Sequence, residues 1–336
     1  MKGLEPDRST MLGAATTARA NVNVALIKYW GKRDTALNLP STGSISLTLD
    51  GLWVKASCAF GDGSVDECLI DGSGEAGDDA TRVLRFVDLV RKEAGIAARA
   101  RVNTTSGVSK GVGLASSAAA FASLAVAVSR AAGMRLEPPA LSALARRGSG
   151  SAARSIFGGF VEWHRGERPD GRDSIAEAIL PPDGWDVRMV VAVTSSARKA
   201  ISSSEGMQRA ASSPLYPAWV ETAERDLAEA RRAIAARDLE ALGLVAEHSA
   251  LKMHAIGLAA RPPLVYWLGA TIECIHRVWA LREEGTRGYV TIDAGPQVKV
   301  LCEPADARTI ADALRDVAGV ERVLTCAPGR GAEVRG

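Results

Sequence analysis

The run from Leu114 to Ala132 constrains the fold more than any other stretch, because it is Ala-rich and apolar on nearly all sides. Such a run predicts a helix ending at Gly133. A helix with no polar face must be enclosed by other elements rather than laid on a surface. A chain of 336 residues with 47% hydrophobic content can build that enclosure, as one large or two medium domains. The preceding segment, Ser106-Gly-Val-Ser-Lys-Gly-Val-Gly-Leu-Ala-Ser-Ser-Ala-Ala119, places Gly107, Gly111 and Gly113 ahead of the helix and Ser116 and Ser117 in its first turn. Backbone N–H groups, hydroxyls and the positive end of the helix dipole would converge there on phosphate oxygens. The Gly-Lys-Ser/Thr ending of a Walker loop is absent, and a Gly-rich loop alone serves close packing equally well.

Around this helix the pattern is mixed. Strands are expected at Val22–Ile27, Ser44–Leu49, Arg101–Thr105, Phe160–Trp163, Val187–Val193, Gly288–Ile292, Val298–Cys302 and near Val323. Arg33–Gly43 reads as a turn-rich loop. Helices are expected from Val83 to Gly95, from about Ala140 to Gly148, through Trp219–Ile234, Leu239–Leu258 and Leu264–Glu284, and from Asp306 to Val317. The first of these reads as an ordinary surface helix. The order is α+β, divided into an N-terminal extension over 1–17, a first domain over 18–190 and a second over 191–336.

Composition narrows the partners. Forty-one Lys and Arg against 39 Asp and Glu give a net charge of +2, without a long basic block for nucleic acid or an anionic membrane. Cys58, Cys68, Cys274, Cys302 and Cys326 are scattered with no CxxC pair, which fits reduced thiols in the cytoplasm better than disulfides or a metal cluster. His248 and His254 are six residues apart, off the i, i+4 spacing of a zinc-binding helix. Met1–Thr17 carries mixed charge and resembles neither a signal peptide nor a membrane span.

Chemistry concentrates in four places. Lys28 and Lys32 follow an apolar run in Asn21-Val-Asn-Val-Ala-Leu-Ile-Lys-Tyr-Trp-Gly-Lys-Arg33. Gly148-Ser149-Gly150-Ser151 with Arg154 offers small residues for close approach and a planar fork for a carboxylate or phosphate. Ser202-Ser203-Ser204 makes a hydroxyl-rich turn after Arg198 and Lys199. Asp293, in Asp-Ala-Gly-Pro296 after a strand, is a turn-stabilising residue or, with a lysine close by, an ionised group able to orient or deprotonate a hydroxyl.

Together these residues resemble the GHMP kinase superfamily and, within it, the mevalonate diphosphate decarboxylases. The resemblance runs from Ala20 to about Cys302 through Ala-Leu-Ile-Lys-Tyr-Trp-Gly-Lys (25–32), Asn-Leu-Pro (38–40), Ser-Ile-Ser-Leu-Thr-Leu (44–49), Gly-Leu-Ala-Ser-Ser-Ala-Ala (113–119), Gly-Ser-Gly-Ser-Ala (148–152), Gly-Gly-Phe-Val-Glu-Trp (158–163), Met-His-Ala (253–255) and Asp-Ala-Gly-Pro. It implies a two-domain GHMP kinase-like fold, with a ribosomal S5 domain 2-like first domain, a ferredoxin-like second domain and a site in the cleft, usually as a homodimer. It implies ATP- and Mg²⁺-dependent decarboxylation of mevalonate 5-diphosphate to isopentenyl diphosphate. Under it Asp293 activates the 3-hydroxyl beside Lys28, Arg154 holds the departing carboxylate, and Tyr29, Lys32, Ser149, Gly150 and Ser151 hold the diphosphate. Gly111, Gly113, Leu114, Ala115, Ser116, Ser117 and Ser203 then receive the ATP phosphates, with Ser116 and Ser117 toward Mg²⁺.

The sequence departs from the family pattern at Ala120, Ala153, Gln297 and Ser204-Glu205. The last leaves the diphosphate one cation short, so a mevalonate 5-phosphate decarboxylase is the enzymatic alternative. A non-catalytic precursor-binding module is the alternative of another class.

Overall fold

A computed structural model describes residues 13–74, 77–107, 116–197 and 201–335. The first half runs β1 (Thr16–Ile27), β2 (Lys32–Asp34), β3 (Leu39–Pro40), β4 (Ser44–Gly61), β5 (Glu67–Ile70), α1 (Asp78–Ala94), β6 (Arg99–Ser106), α2 (Ser116–Ala131), α3 (Pro138–Gly148), α4 (Ala152–Ser155), β7 (Phe160–Trp163) and β8 (Ala176–Leu180). The second half runs β9 (Arg188–Val193), α5 (Ser203–Ala210), α6 (Tyr216–Ala236), α7 (Leu239–Leu258), α8 (Gly269–Glu283), β10 (Gly288–Ile292), β11 (Val298–Cys302), α9 (Pro304–Arg315), β12 (Arg322–Cys326) and β13 (Glu333–Arg335).

Among the described residues, seven strands form the first sheet: the path β13-β1-β4-β6-β5, with β7 added to β4 and β8 to β7. Helix α2 packs across β1 and β4, and its Ala119, Ala122, Leu124, Ala125 and Val128 are buried as the all-round apolar run requires. Strand β1 is buried along nearly its whole second half because it also meets α7. Continuous apolar sequence is the signature of a strand covered on both faces.

The second sheet, β10-β11-β9-β12, is antiparallel throughout. Its strand order, with helices between β9 and β10 and between β11 and β12, is the ferredoxin-like arrangement, and the whole is the expected two-domain α+β GHMP kinase-like fold. Side chains alternate between two cores. Val190, Ala192, Val290, Ile292, Val298 and Val300 face α8 and α9. Met189, Val191, Tyr289 and Leu301 join the core shared with α7 and the first sheet.

Several local features differ from what the sequence leads one to expect. The strand expected over Ser44–Leu49 continues as β4 to Gly61. Gly51 takes a left-handed φ of +80°, and the pairing with β1 jumps from Asn23↔Thr48 to Asn21↔Trp53. This bulge bends one long strand instead of ending it. The loop expected over Arg33–Gly43 contains the small β2–β3 hairpin. Strand β1 begins at Thr16, opposite Cys58, two residues inside the stretch expected to be an extension. Ser203 and Ser204 open helix α5, for which the Ser202 hydroxyl caps the Glu205 amide at 3.2 Å. Strand β9, which spans residue 190, pairs wholly within the second sheet. The chain end returns to the first sheet, where β13 pairs with β1 and the Gly329 amide donates to the Thr48 carbonyl at 2.7 Å.

Candidate active site

The two sheets meet where β1 ends. The Lys28 amide donates to the Ser249 hydroxyl on α7 at 3.0 Å, and the Thr291 hydroxyl on β10 donates to the Ala25 carbonyl at 3.2 Å. These bonds bring the residue after β1 against the residue after β10. Lys28 Nζ donates to Asp293 Oδ1 at 2.7 Å and to the Ala25 carbonyl at 2.7 Å. Lys299 Nζ, from the second residue of β11, lies 3.0 Å from Asp293 Oδ2. Both lysines are buried, at 1% and 2% exposure, whereas the Asp293 side chain keeps 31% of its surface open.

The turn that aims Asp293 is fixed from several sides. The Pro296 carbonyl accepts from the Thr194 and Thr271 hydroxyls at 2.9 and 2.7 Å. Gln297, a departure from the family pattern, is buried; its Oε1 accepts from the Thr194 amide at 2.7 Å and its Nε2 donates to the Ser195 carbonyl at 2.6 Å. It thereby ties the turn to the end of β9.

Charge in this cluster is uneven. Burial pushes Lys28 down to about 8, against the pull of Asp293 and with the repulsion of Lys299. Desolvation raises Asp293, but the two ammoniums outweigh it and hold the carboxyl well below its ordinary range. His254 on α7 is pushed down to about 3, first by burial and then by Lys28, so its imidazole is neutral.

Arg154 occupies the floor beside this cluster. Its Nη1 donates to the Ser44 hydroxyl at 2.6 Å, and its Nε and Nη2 reach Asn23 Oδ1 at 3.3 and 3.2 Å. The Asn23 amide in turn donates to the Ser151 carbonyl at 3.1 Å and the Ser155 hydroxyl at 2.8 Å. Burial lowers Arg154 to about 10, which leaves it a cation at neutral pH. Asn23 and Ser44 have no assigned role in the sequence reading. The available signal was a polar residue at every second position of an apolar strand, which marks one buried polar face. Lys299 gave the same kind of signal between Val298 and Val300.

The serine turn is tied to Arg154 through Asn23, which bonds both. Ser149 and Ser151 hydroxyls are 3.4 Å apart. A Cβ on Gly150 would come 2.7 Å from the Tyr29 hydroxyl, so glycine permits this approach. The Tyr29 hydroxyl is buried with no hydrogen-bond partner among the described residues. Lys32 Nζ donates to Asn38 Oδ1 at 2.7 Å, and the Asn38 amide donates to the Arg146 and Arg147 carbonyls at 3.1 and 3.0 Å. Lys32 is thus fastened to the end of α3, beside the turn.

Helix α1 is more than the surface helix expected. Its Arg82 reaches the Gly148 carbonyl at 3.4 Å, and with Arg85, Lys92 and Arg147 it lines a cavity of about 420 Å³ that contains one carboxylate, Asp88. Gly111, Gly113, Leu114 and Ala115 lie outside the described residues, as do Arg198 and Lys199. Ser116 and Ser117 open α2, whose first turn has no acidic residue. Gly148 backs onto Phe121 of that helix, where a Cβ would come 2.0 Å from the ring, so the start of α2 and the serine turn adjoin. Ser203 begins α5, which packs through Gly206 on Trp30 and Tyr266. Glu205, the departure expected to burden diphosphate recognition, is paired with Arg209 one turn along α5.

The family models decide the relationship. A diphosphomevalonate decarboxylase-like N-terminal domain matches residues 20–176, and a mevalonate 5-diphosphate decarboxylase C-terminal domain matches 189–330. The chain belongs to the diphosphomevalonate decarboxylase family. A Candida albicans diphosphomevalonate decarboxylase is 31% identical, over 96% of this chain and 98% of that one. The mevalonate diphosphate decarboxylase of Staphylococcus aureus is 36% identical with a TM-score of 0.91, covering 96% of this chain and 98% of that one. A structure of MDDEF in complex with MVAPP, AMPPCP and magnesium has the same identity and coverage, with a TM-score of 0.90.

Proposed function

We infer that this protein catalyses the ATP-dependent decarboxylation of mevalonate 5-diphosphate to isopentenyl diphosphate, with release of ADP, phosphate and CO₂. The observation that carries this reading is the open carboxylate of Asp293 between Lys28 and Lys299, with Arg154 close enough to feel its charge. Family membership and the ligands of MDDEF support it.

In this reading Asp293 takes the hydrogen bond of the substrate 3-hydroxyl and aligns its oxygen for attack on the γ-phosphate of ATP. The hydroxyl proton passes to the carboxylate as the new O–P bond forms and the bond from the γ-phosphorus to the bridging oxygen breaks, so that ADP leaves. Phosphorylation turns a poor leaving group into a good one, so its departure develops positive charge at C3. The C–C bond electrons then become the double bond and CO₂ leaves. Arg154 holds the carboxylate in the plane that this cleavage needs, while its own geometry is fixed by Asn23 and Ser44.

Tyr29, Lys32, Ser149, Gly150 and Ser151 receive the diphosphate, and Arg82 supplies a further cation at the same turn. Two observations fit a nucleotide: the start of α2 lacks acidic residues and lies beside that turn. Mg²⁺, present in the MDDEF complex, would be held mainly by phosphates and water, with Ser116 and Ser117 as the residues toward it. Bound there, Mg²⁺ would neutralise phosphate charge. We further assign the protein to the cytoplasm and to a homodimer, with no nucleic acid or membrane partner, from its near-neutral charge and its family resemblance.

The test is purified protein with ATP and Mg²⁺, assayed for ADP and CO₂ with mevalonate 5-diphosphate and 5-phosphate in parallel. Highest kcat/KM with the diphosphate is expected. ADP without CO₂ would refute decarboxylation, and preference for the 5-phosphate would refute the substrate.

A further inference from the structure

Resting on that function, we propose that Lys299 is a positioning residue for the reaction: it holds Asp293 Oδ2 opposite Lys28, so that the carboxylate meets the substrate hydroxyl in one fixed plane. An ammonium buried to 2% exposure is expensive unless paired, and an apolar side chain at this place in β11 would continue the Val298–Val300 pattern without that cost. Lys28 already satisfies one carboxylate oxygen at 2.7 Å, so Asp293 has no structural need of a second ammonium.

The second ammonium changes what the carboxylate can do. With one contact, the group can turn about its Cβ–Cγ bond and pivot on Lys28. With a contact on each oxygen the plane is set, and each oxygen keeps a lone pair for the open side of the cleft. Lys299 itself cannot drift. Its backbone is paired on both sides, to Thr291 of β10 and Val191 of β9, and Leu301 on the same strand face is packed in the core shared with α7. The cluster therefore has two buried ammoniums for one carboxylate, with Arg154 adjacent, a surplus of positive charge that an anionic substrate would complete.

Lys299 also repels Lys28, which gives the test a readout that packing alone does not move. The charged or titratable groups facing the pair are Asp293 after β10, Arg154 on α4 and His254 on α7. His254 is neutral and Arg154 charged through the neutral range, whereas Lys28, pushed down to about 8, titrates on the alkaline limb. In Lys299→Met, CO₂ release should lose about tenfold or more in kcat while KM for ATP stays within about threefold. The alkaline limb of kcat/KM should move up by about half a pH unit or more, because Lys28 loses a like-charged neighbour. Lys299→Arg should recover most of the rate.

An unchanged kcat, or a loss with the alkaline limb unmoved, would overturn the proposal. If Lys299→Met fails to fold by circular dichroism, Lys299→Gln carries the same pH test against Lys299→Arg, with the same limb shift required. A wild-type enzyme that releases no CO₂ would instead sink the function on which the proposal rests.

Discussion

Asp293 stays ionised because two buried ammoniums outweigh its own desolvation, and that balance makes the residue's role testable in isolation. Asp293→Asn keeps the shape and removes the charge. It should lower kcat by about 10²–10⁴-fold, the usual worth of a positioned acid–base group, while ATP and substrate binding measured by calorimetry stay near wild type. A rate near wild type would remove Asp293 from the mechanism. The pH dependence follows from Lys28. Its value of about 8 means that it is charged below that pH and neutral above it, so kcat/KM should fall as pH rises through about 8. Asp293 and Arg154 were legible in the sequence because each sits in a short run of turn-forming residues. Lys299, Asn23 and Ser44 were not, since a polar residue inside a strand shows its role only when its partner is known. Here the partners Asp293 and Arg154 come from distant parts of the chain.

At the scale of elements, α1 shows how a pattern can be read correctly and its purpose missed. Val83, Phe86, Val87 and Val90 bury one face as their spacing predicts. The polar face, however, turns Arg82 toward the serine turn rather than only to solvent. Arg82→Ala should raise KM for the diphosphate substrate roughly tenfold, the loss expected for one charge-assisted contact, while Tm changes little because the side chain is 45% exposed. An unchanged KM would place the diphosphate away from α1. Strand β4 makes the complementary point. Its Asp-Gly pair carries the signal of a turn, and only the partner strand β1 converts it into a bulge.

Across the whole molecule, the site exists because two separate sheets are locked together. Trp219 Nε1 on α6 donates to the Trp30 carbonyl at 3.0 Å, and the Tyr216 hydroxyl to Ser41 at 2.8 Å. Arg231 on α6 grips Glu162 of β7 through two hydrogen bonds of 2.7 and 2.6 Å. Glu162 is 4% exposed, and its other contact of this kind is the His164 ring nitrogen Nδ1, at 3.6 Å. Arg231→Ala should therefore cost about 3 kcal/mol and lower Tm, because a buried carboxylate loses its main partner. A Tm within a degree of wild type would show the clamp to be dispensable. Sequence alone determined the α+β class, the enclosed helix α2, the residue types of the site and the family. Those follow from local periodicity, turn chemistry and short motifs, which need only neighbours in the chain. Tertiary structure decided that Lys28, Arg154, Asp293 and Lys299 form one cluster, that Asp293 is held ionised there, and that Arg82 of α1 reaches the serine turn. Those depend on burial and on contacts across up to 265 residues of chain, which no local pattern encodes.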